Sequence, residues 1–287
     1  MMTTERPLAP ISSSSQIVDY GSTTTAGAPE SESKRETIQA ELFQRFPSFV
    51  RAREPQRYTR ITMDSVYKSD SRQKLLRLEF FLNVINQICI GFVTIYMSWL
   101  TLRTGLEGTG LHAWLVTIGF SFFMAQGVMV HYNGNVLTNH YKRTTKTTIH
   151  WILLTLGGGC GAAGALIKMI QKGFLLQSTH GKLGLTAFIL CLLAMLSGLS
   201  ALFSSSIKKL ISPLLNKTFH NFIGFSCFVI ALTTQYYGYQ TGYFKNRSVV
   251  DFQILMKCLT LISLVLTSYG PMKALYHKLK NIARNFN

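Results

Sequence analysis

Residues 80–101 read FFLNVINQICIGFVTIYMSWLT, a run without one charged side chain. Wound as a helix it rises ~30 Å, the thickness of a bilayer's hydrocarbon core. It is too long and too uniformly apolar for a barrel strand. Five further apolar runs follow, at 113–132, 150–170, 183–203, 220–239 and 252–270. Short connections between them make neighbouring helices antiparallel. The expected fold is an all-α membrane protein, a bundle of six transmembrane helices.

The composition of the 287-residue chain agrees. Hydrophobic residues make up 47 % and charged residues 14 %, with a mean hydropathy of +0.21. A soluble domain carries about a quarter charged residues. The net charge of +17 would suit nucleic acid or an anionic surface. Because the charges alternate with apolar runs, lipid is the expected partner and nucleic acid is not. Of the 29 Lys and Arg, 22 fall in the N-terminal tail, the second and fourth loops and the C-terminus. Both termini are therefore expected in the cytoplasm.

Residues 1–75 are expected to be a largely disordered cytoplasmic tail, with a short helix at Thr37–Phe46 ended by Pro47 and no cleavable signal near Met1. Residues 76–272 form the membrane domain and 273–287 a short basic cytoplasmic tail. Five cysteines, Cys89, Cys160, Cys191, Cys227 and Cys258, all lie in apolar runs without zinc-type spacing. They read as small buried apolar residues.

Four of the seven histidines stand where the chain enters the membrane. His112, His150, His180 and His220 open the second to fifth spans. Antiparallel helices put His112 and His180 near the non-cytoplasmic face, His150 and His220 near the cytoplasmic one. Two histidines per leaflet, on different helices, is what axial ligation of two b-type haems requires. Isolated interfacial histidines would not be expected to fall one per helix on four successive spans. His131, His140 and His277 read as surface residues.

The stretches LHAWLVTIGFSFFMAQG (111–127), KRTTKTTIHW (142–151), STHGKLGLTAF (178–188) and TFHNFIGF (218–225) resemble the cytochrome b561 family. The likeness covers about residues 80–270. The second span and the HGKLG motif look most like its short branch, the cytochrome b561 domain-containing proteins. The resemblance implies two non-covalent haem b groups, one per leaflet, within the four central helices, with iron ligands His112 with His180 and His150 with His220. It implies an ascorbate-dependent transmembrane oxidoreductase that takes electrons from cytoplasmic ascorbate. Monodehydroascorbate or a ferric chelate would accept them opposite. It admits a homodimer, and endoplasmic reticulum, vesicle and lysosomal membranes are the favoured settings.

Ascorbate is an anion, so Lys142, Arg143 and Lys146, just before His150, are candidate substrate contacts; they serve equally as positive-inside anchors. Lys182, two residues after His180, is the candidate on the other face. Gly157 and Gly161 form a GxxxG that suits close helix packing or a porphyrin edge. Phe120, Phe122 and Phe123 are expected to pack in the bundle. An NADPH-driven ferric reductase is excluded by spacing, since that class carries histidine pairs about thirteen residues apart on the same helices. A cofactor-free transporter or scaffold that keeps the b561 shape is the alternative reading.

Overall fold

A computed structural model describes residues 54–174 and 176–286, with side chains described over 72–174 and 176–284. The chain divides into two units, Met1–Tyr67 and Lys68–Asn287. Of the first, helical residues 54–67 are described. The helix expected at Thr37–Phe46 lies outside the described residues.

Regular structure among the described residues is wholly helical. Six long helices follow in order: α1 (Glu54–Thr104), α2 (Thr109–Met129), α3 (Arg143–Gln171), α4 (Thr179–Leu202), α5 (Pro213–Gly238) and α6 (Val250–Phe286). A single turn, Gly242–Lys245, precedes α6. The first helix starts well inside the stretch expected to be tail. Pro55 sits in its first turn, where a missing N–H costs nothing, and no further Pro or Gly occurs before Gly91.

Residues Arg72–Thr104, α2, α3, α4 and Val250–Arg284 are each long and apolar enough to cross a membrane. The fifth helix has 26 residues but a more polar composition. Its Asn216, Thr218, Thr234 and Gln235 are buried, which is where polar groups on a membrane helix belong. The most extensive packing joins α4 to α5. At one end of that pair Asn216 Nδ2 donates to the Ser200 carbonyl and Ser200 Oγ to Asn216 Oδ1, both at 2.9 Å.

Helix α2 is not uniform. Thr117–Met124 is π-helical, and within it Thr117, Gly119, Phe120, Ser121 and Met124 are buried. Such widened turns occur often at functional sites. Here the wide turn meets the glycines of α3. A Cβ on Gly157 would lie 2.8 Å from the Gly119 carbonyl oxygen, and one on Gly161 would run into the Phe120 ring. The GxxxG thus brings α2 and α3 to backbone contact. Phe120 belongs to the main core with Met124, Ala187, Cys191, Cys227 and Phe228, and Phe122 packs against it.

The outer helices α1 and α6 meet along a polar seam. Asn86, fully buried, donates through Nδ2 to Thr267 Oγ1 at 2.8 Å. Nearer one end Lys273 Nζ stands 3.4 Å from the buried Glu79 carboxylate, which also accepts from Tyr269 OH. All five cysteines are free thiols.

Candidate functional site

The four helix-opening histidines come together as two pairs. The His112 and His180 ring centroids are 6.0 Å apart, with ring planes at 80°. Those of His150 and His220 are 6.2 Å apart, at 89°. Fourteen residues of α3 separate His150 from Gly164, whose carbonyl holds His112, so the pairs lie about 21 Å apart along that helix.

Each imidazole is held by one nitrogen. His112 Nδ1 donates to the Gly164 carbonyl at 2.8 Å and His150 Nδ1 to the Gly127 carbonyl at 2.8 Å. His180 Nδ1 donates to the Thr234 carbonyl at 2.9 Å. His220 Nδ1 meets Ser197 Oγ at 3.1 Å. That hydroxyl gives its own proton to the Ala194 carbonyl, so it accepts from the ring. With Nδ1 protonated, a neutral imidazole presents Nε2 as a free lone pair. This is the tautomer a metal-binding histidine adopts when its other nitrogen is fixed.

The donors recur in a pattern that crosses each helix pair twice. His112 of α2 reaches Gly164 of α3, and His150 of α3 reaches Gly127 of α2. In the other pair, a Cβ on Gly198 of α4 would sit 3.0 Å from His220 Cε1, and one on Gly238 of α5 would sit 3.2 Å from His180 Cε1. Each helix therefore supplies a histidine at its beginning and, four or five turns later, a glycine beside its neighbour's histidine.

A metal bound by imidazole nitrogens at about 2 Å on both sides would separate two ring centroids by about 6 Å. Both pairs have that separation. No group of three or more His, Cys, Asp or Glu that could hold a metal ion occurs among the described residues. The donor set thus suits a metal that brings its own equatorial ligands, as a porphyrin iron does.

The cations around the two pairs include some that the sequence singled out and two, Lys278 and Lys168, that it did not. Lys146 is 8 % exposed, one turn before His150, with no hydrogen-bond or ion-pair partner among the described residues. Arg143 is exposed on the same helix face, and Lys142 is exposed where it begins α3. From the C-terminal end of α6, Lys278 places Nζ 3.2 Å from the Lys217 carbonyl, and its charge acts on both His150 and His220. His131 is exposed, as its place in the sequence predicts, and its ring lies 5.1 Å from that of His150. At the other pair Lys182 is exposed, and the cation whose charge acts on His112 and His180 is Lys168. Helix arithmetic gives both outcomes: Lys182 is turned about 200° from His180, whereas Lys168 is five turns from His150 on the inward face of α3.

Residues 111–245 match the family model of eukaryotic cytochrome b561. Over that stretch, a little under half of the chain, it is similar to the cytochrome b561 family. The match begins beside His112 and ends after α5, so it takes in all four paired histidines and leaves α1 and α6 outside; it is narrower than the likeness read over 80–270. No curated protein and no solved structure matches the chain. A cytochrome b561 domain is a helical membrane bundle that binds haem b and transfers electrons across the membrane. With five helices long and apolar enough to cross a bilayer, the chain is a multi-pass membrane protein, and the family it resembles is one of transmembrane oxidoreductases.

Proposed function

We propose that the domain holds two haem b groups, one between His112 and His180 and one between His150 and His220. We infer that it oxidises ascorbate on the cytoplasmic side and reduces monodehydroascorbate or a ferric chelate opposite. The observation that carries this reading is the fixation of all four imidazoles through Nδ1, in two pairs at 6.0 and 6.2 Å. Isolated interfacial histidines have no need of such pairing.

When bound, each haem supplies a one-electron iron couple. The protein's part is to orient the imidazoles, bury the groups and admit donor and acceptor at opposite ends. The excess of Lys and Arg in the termini and even-numbered loops puts His150 and His220 on the cytoplasmic side, with α5 crossing as a sixth span. Lys146 is the main contact for the donor. It stands one turn before His150 on the same face of α3, where its positive charge can meet an anionic donor. Arg143 and Lys278 add positive charge at the entrance, and the HGKLG motif at 180–184 looks most like that of the short branch of the family.

The first test is an ascorbate-reduced minus oxidised spectrum of the detergent-purified protein, together with its haem-to-chain ratio. Two haems per chain with a bis-histidine b-type α band are expected. A folded preparation without haem would sink the proposal in favour of a cofactor-free membrane protein. Replacing Lys146 by Gln should raise the KM for ascorbate about tenfold while haem content stays at two. Unchanged ascorbate kinetics would make Lys146 a topology anchor.

A further inference from the structure

We propose that Lys168 makes the outer site selective for anionic electron acceptors and raises the reduction potential of the centre between His112 and His180. The inference rests on the two-haem reading above and adds a specificity-determining residue to it.

The ammonium of Lys168 is positioned by neutral groups alone. Its Nζ donates to Thr109 Oγ1 at 2.6 Å and lies 3.4 Å from Gln171 Oε1. No carboxylate pairs with it among the described residues, so its charge is directed without being cancelled. Thr109 stands three residues before His112, and its hydroxyl fixes the lysine head at the end of the bundle where His112 and His180 meet. The charge acts on both imidazoles. Lys172 and Lys182 are exposed, where solvent and salt screen them.

A fixed cation near a one-electron centre favours the state that carries one more electron. The same cation attracts an incoming anion, such as a carboxylate-chelated ferric ion or an oxidised ascorbate radical, and repels a cationic acceptor. The transfer itself moves one electron to the acceptor, with no proton and no bond change.

The test uses the full haem-loaded chain with ascorbate as donor. Two acceptors of opposite charge are compared: ferricyanide, reduced by one electron to ferrocyanide, and cobalt(III) tris-phenanthroline, reduced by one electron to its cobalt(II) form. Lys168→Gln should keep two haems and raise the KM for ferricyanide about tenfold, leaving that for the cationic acceptor unchanged or lower. The reduction equilibrium of one haem should fall about tenfold, a shift of about 59 mV for one electron. Lys168→Arg should restore both quantities. If K168Q keeps its haems with both KM values and both potentials unchanged, or if both acceptors suffer equally, the inference is overturned and Lys168 only braces Thr109. A wild-type protein without paired haems overturns the underlying reading instead, which the haem-to-chain ratio reveals before any kinetics.

Discussion

Replacing His150 by Ala is expected to lower the haem-to-chain ratio from two to one and to abolish reduction by cytoplasmic ascorbate. The imidazole is held through Nδ1 by the Gly127 carbonyl at 2.8 Å, and its partner His220 is held separately by Ser197 on α4. Removing one side therefore leaves His220 in place as a single ligand, and a non-covalent haem with one axial bond is readily lost. The other pair is about 21 Å away along α3 and shares no hydrogen bond with this one. The remaining haem should stay bound and reducible by a chemical reductant such as dithionite. His131→Ala is the informative companion, because its ring is only 5.1 Å from His150. It should keep both haems. Loss of haem in H131A together with retention in H150A would show that the pairing is misassigned.

The bundle and its four key histidines are legible in the sequence because both rest on local pattern. Apolar runs of spanning length report themselves, and antiparallel alternation sorts histidines at helix starts into two leaflets. What holds the imidazoles is not local. Gly127 and Gly164 accept from histidines on the neighbouring helix, and nothing in the residues around either glycine names that partner. Ser197 is likewise an ordinary small residue of an apolar helix until α5 brings His220 against it. Lys168 was within reach of sequence reasoning. Its five-turn distance from His150 places it on the inward face, whereas nearness along the chain favours Lys182, which points away. The π-helical stretch of α2 and the role of Lys278, from the far end of α6, depend on tertiary register and have no short-range signal.

Gly119 and Gly159 should respond to alanine with opposite signs, although both are glycines within apolar membrane helices. At Gly159 a Cβ would meet nothing within 4 Å. Gly159→Ala therefore removes only backbone freedom, and should stabilise the folded bundle by up to about 1 kcal/mol. At Gly119 the same methyl group would lie 2.5 Å from the Gly161 nitrogen and 2.7 Å from the Gly157 carbonyl oxygen. Those atoms are backbone and cannot rotate away. Gly119→Ala must push α2 from α3, with a cost of about 1–3 kcal/mol for overpacking. The damage should not stay at the contact. Hydrogen bonds from His112 to Gly164 and from His150 to Gly127 cross the same interface on either side of Gly119, both at 2.8 Å. Parting the helices at their midpoint lengthens both, so one methyl group that touches no histidine should loosen both haem sites together. The expected result is a haem-to-chain ratio below one in G119A, with a lowered thermal midpoint, against two haems and an unchanged or raised midpoint in G159A. If G119A retained both haems at full stability, α2 and α3 would not need backbone contact, and the reciprocal histidine–glycine pattern would lose its role in setting the sites.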